Sequence, residues 1–161
     1  LAWSAPVELS ENETGGQLYT RIKFKASLAL NAFLAALKKG ELVYTPQDES
    51  SVSFAPTLKK EDGYLDFKNE EIASIKNRIR ALDPWPGTYC SLNKKRLKVY
   101  SVSASDMSLS PGEVSSDKGQ IVVGCFDGSL RLEDIQIEGK KRCADTSLLN
   151  GLKGPITINA D

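Results

Sequence analysis

The sequence predicts an α+β fold that is mainly β: a small closed β-barrel of the oligonucleotide-binding type, preceded by a strand and helix from a larger α/β layer. Three observations carry this. The hydrophobic period shifts from near 3.6 to two after Gly87. Turn signals (Asn93-Lys94-Lys95, Pro111-Gly112, Asp127-Gly128, Gly139-Lys140-Lys141-Arg142) then cut the chain into short strands. A long apolar helix stands ahead of them with no partner of its own. The expected organisation is the end of an α/β domain over residues 1–40, a linker over 41–57, and the barrel over 58–161.

Residues 1–6, Leu1-Ala2-Trp3-Ser4-Ala5-Pro6, read as the end of a strand, and Glu11-Asn12-Glu13-Thr14 as a polar turn. Thr14 with Gln17 three residues on has the capping-box spacing. Leu18, Ile22, Ala26, Ala29, Phe33 and Leu37 keep a helical period, and Leu28, Leu30 and Leu34 widen the stripe, so this helix expects neighbours on more than one side. Lys38 and Lys39 suit the negative end of its dipole, and Gly40 stops it. The proline-punctuated stretch 41–56 reads as a surface linker.

Asn69 is the expected cap of a second helix with a stripe of Ile72, Ile75, Ile79 and Leu82, stopped by Asp83-Pro84; Lys76 and Arg80 share a face. Trp85-Pro86-Gly87 makes a sharp exit. Strands are expected over 88–92 and 96–102, with Leu97 and Val99 on one face and Arg96, Lys98 and Tyr100 on the other. Others are expected from Pro111 to about Ser115, over 120–126 and over 129–137, with Asp127-Gly128 as a hairpin turn. Leu130 and Leu132 have opposite parity to Ile135 and Ile137, which predicts a bulge near Glu133-Asp134. A short helix over 145–152 follows, with a fraying tail after Gly154.

Composition narrows the function classes. No apolar run nears the roughly 18 residues of a membrane span, and the first residues carry no charged leader. Cys90, Cys125 and Cys143, odd in number and widely spaced, suit a reducing compartment, and Cys125 reads as a core residue. Histidine is absent, which removes the commonest general base and metal ligand. Phosphate-loop motifs are missing. Thr14-Gly15-Gly16 reads as a cap, and the acid pairs Glu61-Asp62, Glu70-Glu71 and Glu133-Asp134 as solvated surface. No catalytic residue, metal site or cofactor site is expected.

Basic and acidic residues balance at 21 each, so any nucleic-acid surface must come from placement. Between residues 76 and 98 lie Lys76, Arg78, Arg80, Lys94, Lys95, Arg96 and Lys98 against Asp83 alone, a local charge of +6. Lys140-Lys141-Arg142 adds a second cluster. Together they would form a stripe able to displace counterions from phosphates, unless they only decorate solvated turns.

Several strings resemble one family. Residues 54–67, Phe54-Ala55-Pro56-Thr57-Leu58-Lys59-Lys60-Glu61-Asp62-Gly63-Tyr64-Leu65-Asp66-Phe67, resemble the opening of the carboxy-terminal domain of methionyl-tRNA formyltransferases. Arg80-Ala81-Leu82-Asp83-Pro84-Trp85-Pro86-Gly87 is similar to that domain's most distinctive string. Lys95-Arg96-Leu97-Lys98-Val99, Pro111-Gly112-Glu113-Val114, Gly124-Cys125-Phe126-Asp127-Gly128 and Gly139-Lys140-Lys141-Arg142 continue it in order. Thr45-Pro46-Gln47-Asp48-Glu49 resembles the interdomain linker, and the Thr14 helix the last helix of a Rossmann-like formyltransferase domain.

The resemblance implies a parent enzyme, monomeric and bacterial-cytoplasmic or organellar, that formylates initiator methionyl-tRNA from 10-formyltetrahydrofolate. Its catalytic Asn, His and Asp would lie in an amino-terminal domain that this chain lacks. The barrel would grip tRNA, with Lys59, Lys60, Arg78, Arg80, Arg96, Lys98, Lys140, Lys141 and Arg142 matching family motifs and Lys94 and Lys95 added by the charge pattern. Arg78 and Arg80 read as braces of the domain interface and Trp85 as a packed anchor. The alternatives are the barrel of another folate-dependent formyltransferase, hydrolase or dehydrogenase, and a free-standing module for single-stranded nucleic acid or a protein.

Overall fold

The computed structural model describes residues 4–152 and 154–159. The chain divides into two compact units, Leu1–Thr57 and Leu58–Asp161. None of the helices described is long and apolar enough to cross a membrane.

The first unit is built on α1 (Gly15–Lys39). Its start is a closed capping box: the Gln17 N–H donates to the Thr14 hydroxyl, and the Thr14 N–H donates to the Gln17 side chain. Gly40 ends it in the left-handed region at φ 73°, its N–H reaching back to Leu37 and Ala36. Arg21 donates to both Glu13 oxygens and to the Glu8 carbonyl, strapping the preceding turn to the helix. Residues 4–6 form no strand, against expectation, and 1–3 lie outside the described residues. No residue of α1 is buried: Ile22, Phe24, Leu28, Leu30, Leu34 and Leu37 are all exposed. The apolar stripe of α1 is therefore uncovered among the described residues. Residues 41–57 are irregular apart from a 3-10 turn, Glu49–Ser51, pinned by the Asp48 carboxylate.

The second unit is a curved antiparallel sheet with α2 (Ile72–Ala81) packed against it. Its strands are β1 (Thr88–Leu92), β2 (Lys95–Ser105), β3 (Val114–Ser115), β4 (Val122–Cys125), β5 (Gly128–Ile137) and β6 (Cys143–Ala144), and α3 (Asp145–Leu149) follows. The order is β1-β2-β5-β4-β3, and β6 pairs β5 at Asp134 and Ile135, past the stretch that β4 covers. The fold is therefore mainly β as expected, but the sheet is a half-barrel with β1 and β3 at its ends. The free side of β1 is taken instead by Leu65, whose N–H donates to the Tyr89 carbonyl, and by the chain end at Ile158. That chain end corrects the expected fraying. The Asn159 side chain donates to the Leu65 carbonyl and accepts from the Ser91 N–H, while Ile158 is buried.

Leu65, Phe67, Ile75, Ile79, Leu97, Val99, Ile121, Leu130, Leu132 and Ile135 form the core, with Cys90 and Cys125 inside it. The parity switch in β5 is real and doubled. Val99 pairs with Ile135, Ser101 with Asp134 and Val102 with Leu132, so Glu133 bulges from β5 and Tyr100 from β2. Both strands thus keep their apolar residues inward on either side of the kink.

Several boundaries differ from expectation, two of them through one distant contact. α2 begins at Ile72, not near Asn69, because its cap comes from a distant hairpin: the Asp127 carboxylate accepts the Ile72 N–H. That role puts Phe126 and Asp127 in the turn, with Gly128 already paired to Cys125 as the first residue of β5. β3 is only two residues long. The β1–β2 turn, Asn93-Lys94, has positive φ at both residues, as a type I′ hairpin requires. Gly124 is needed because a Cβ there would overlap the Ser110 carbonyl.

Candidate nucleic-acid interface

The strand period decides which side chains look outward from β1, β2 and β5. Leu97 and Val99 turn inward, which leaves Arg96 and Lys98 exposed. Register then builds rows across the sheet: Tyr89 opposite Lys98 opposite Gln136, and Ser91 opposite Arg96. Gln136 is the hub. It accepts the Tyr100 hydroxyl at 2.7 Å and donates to the Lys140 carbonyl at 2.9 Å. This second bond ties the basic corner 139–142 to the same face. Gly139, at φ 76°, shapes the turn.

Arg142 completes the attachment. Its guanidinium lies over the Tyr100 ring, 3.9 Å from the centroid, and donates to Asp134 at 2.6–3.0 Å. The bond to Asp134 raises its pKa above the ordinary arginine value, and Tyr100 and Asp83 add to the effect. Arg96 lies over Tyr89 at 3.6 Å, and Tyr89 in turn meets Tyr64 edge-on at 5.8 Å.

The candidate residues thus fall into groups. Arg96, Lys98 and the corner carrying Lys140, Lys141 and Arg142 share one face, and Lys94 and Lys95 sit at the exposed tip of the same hairpin. Among the described residues, Lys94, Lys95, Arg96, Lys98, Lys140 and Lys141 form no salt bridge. Arg78 is engaged elsewhere, donating to the Tyr64 carbonyl and to Glu70 at 2.8 Å. Arg80 donates to Asn77 on its own helix. Lys59 and Lys60 are exposed at the 3-10 turn Lys60–Gly63, on the side of β1 away from β2. Trp85 corrects the expectation of a packed anchor: it is 58% exposed. The bend is held by its backbone, through the Gly87 N–H on the Leu82 carbonyl, and not by burial of the ring.

Sequence reasoning missed Tyr89 and Gln136. The first was within reach, since a two-residue turn at Asn93-Lys94 places Tyr89 opposite Lys98. The second was not, because the β2–β5 register depends on two facing bulges. Burial pushes the Cys90 and Cys125 thiols up to about 12, with Asp127 and Glu70 adding to the effect at Cys125, so both stay protonated. Among the described residues no group of three metal-ligating side chains occurs.

Comparisons with known proteins bear on this geometry. The chain is 37% identical over 148 residues to the methionyl-tRNA formyltransferase of Geobacter metallireducens, covering 91% of this chain and 47% of that protein. It is 38% identical over 151 residues to that of Citrifermentans bemidjiense, covering 93% and 46%. The chain therefore spans about half the length of the curated relatives it matches. A HypX variant from Aquifex aeolicus shares the fold, with a TM-score of 0.63 at 16% identity over 88% of this chain and 27% of that one. HypX in complex with tetrahydrofolic acid matches at 0.55 and 18%, over 74% and 22%. The family model described as the formyl transferase C-terminal domain matches residues 57–153, and the chain belongs to that family.

Proposed function

We propose that this chain is the tRNA-gripping half of a methionyl-tRNA formyltransferase, an enzyme that formylates initiator methionyl-tRNA in the bacterial cytoplasm or an organelle. Formyl transfer and the 10-formyltetrahydrofolate co-substrate are assigned to the remaining half of the parent enzyme. The uncovered apolar face of α1 supports this assignment, since a Rossmann-like layer is what such a helix would complete. Residues 1–40 are accordingly read as the end of the catalytic domain, 41–57 as the linker and 58–161 as the tRNA-binding domain, a relative of oligonucleotide-binding barrels.

The observation that carries the reading is the meeting of Arg96 and Lys98 with the 139–142 corner through Gln136 and Tyr100. A molecule of zero net charge gains an anion-binding face only by such placement. Lys94, Lys95, Arg96, Lys98, Lys140 and Lys141 are read as phosphate contacts, with Lys59 and Lys60 at the margin. Arg78, Arg80 and Arg142 are read as braces. The test is tRNA binding by the purified chain, followed by fluorescence anisotropy from about 50 to about 200 mM salt. Affinity should fall steeply, with a log–log slope of about 0.7–0.9 per phosphate contact, and no formyl transfer should occur. A flat salt response, or turnover by the chain alone, overturns the reading.

A further inference from the structure

The two stacked arginines of this face differ in what else they do. Arg142 spends its donors on Asp134. Arg96 is exposed, and among the described residues it makes no salt bridge. Its Cζ lies 3.6 Å from the Tyr89 centroid, a separation that requires the guanidinium to lie over the ring face. Arginine–aromatic stacks occur about once per 70–80 residues, so the stack by itself assigns nothing. What singles it out is the groove beside it, lined by Arg96, Lys98, Gln136, Ile137, Glu138 and Gly139, with a volume of about 280 Å³. Whole small-molecule sites run to about 300–1,000 Å³, so this groove suits one group of a larger ligand. Its chemistry is mixed in sign, with Lys98 on β2 and the exposed Glu138 just past β5. A track for phosphates alone has no use for a carboxylate. A nucleotide does, because base amino groups and ribose hydroxyls are donors.

We propose that the Arg96–Tyr89 stack and the adjoining groove form a subsite for one unpaired nucleotide, its base laid on the guanidinium, its phosphate at Lys98 and a sugar or base donor at Glu138. The inference rests on the tRNA-binding reading and deepens it by naming which part of the RNA is gripped here. Bases inside a duplex are already stacked and offer no free face, so a double-stranded arm could use only the charges. An unpaired nucleotide uses the plane as well, since guanidinium planes, like aromatic rings, serve as stacking partners for splayed-out bases; on aromatic rings such stacking is worth about five- to 150-fold in affinity per base.

The test uses the full chain, a single-stranded RNA tetranucleotide with one 2-aminopurine, and a blunt RNA duplex. Arg96→Lys keeps the charge and removes the plane. Tyr89→Leu removes the ring beneath, with a thermal melt to confirm that the variant folds. Each change should weaken tetranucleotide binding at least about five-fold and duplex binding less than about two-fold. The 2-aminopurine fluorescence should be quenched by the unaltered chain and not by Arg96→Lys. Equal losses on both RNAs would mean that the stack does not tell unpaired from paired nucleotides, and no loss with Arg96→Lys would mean that the face senses charge alone; either result overturns the subsite and leaves the tRNA reading standing. Failure of the unaltered chain to bind tRNA or either probe would overturn both.

Discussion

Side chains of one charge type divide here by the company they keep. Arg142 faces Asp134 and Tyr100, whereas Lys98 faces solvent beside them, so substitutions at the two should separate stability from binding. Arg142→Gln is expected to lower stability by about 1 kcal/mol, the scale of an exposed ion pair plus a surface cation–π contact. It should barely change the salt slope of tRNA binding. Lys98→Gln should do the reverse, leaving the urea midpoint unchanged and reducing that slope by about 0.7–0.9. Asp145 is a different case, wholly buried and fixed by Arg131 at 2.9 Å and by the N–H groups of Ile121 and Thr146. Burial pushes its pKa up, but the Arg131 and backbone bonds outweigh this and hold it below the usual carboxylate value. A carboxylate depressed in the folded state contributes stability that is complete above its unfolded value near 3.9 and is lost as pH falls through the folded one. Asp145→Asn should therefore cost about 2–4 kcal/mol at pH 7. In urea titrations its deficit against the unaltered chain should shrink as pH drops below about 4.

At the scale of elements, what could be read in advance was whatever depends on near neighbours in the chain. The Thr14–Gln17 box, the Gly40 stop and the parity switch in β5 are all local, and each is present in the fold. The features that escaped depend on contacts across the chain. Asn69 looked like a cap by proximity, yet the Ile72 N–H is served by Asp127, 55 residues away. Tyr100 gives no sign of bulging until Glu133 is placed opposite it. Residues 156–159 look like a frayed tail until Ser91, Asn93 and Leu65 are seen to hold them. A large aromatic beside two prolines suggests packing, yet Trp85 is exposed because the turn is closed by main-chain bonds. The borrowed cap is open to test. Asp127→Ala should destabilise the second unit by about 1 kcal/mol, with faster hydrogen exchange in the first turn of α2 and little change in β2.

For the whole molecule, the contrast between its two units becomes a physical expectation. The second unit encloses a core of fully buried side chains from α2, β1, β2, β4 and β5, while α1 buries none of its residues. A helix without tertiary burial is marginal in water, because propagation barely repays nucleation even over 25 residues. Hydrogen exchange of the isolated chain should therefore show amides of β2 and β5 opening only with global unfolding of their unit. Those of α1 should exchange at least about a hundred-fold faster, protected by little beyond the capping box and the Arg21 strap. Supplying the rest of the parent enzyme should raise protection along the face carrying Ile22, Ala26 and Ala29, because those residues would then gain the layer they lack. Protection of α1 equal to that of β5 in the chain alone would mean that its apolar face is satisfied without any missing domain. The reading of residues 1–40 as a fragment of a larger α/β layer would then have to be given up, whatever the RNA-binding face of the second unit does.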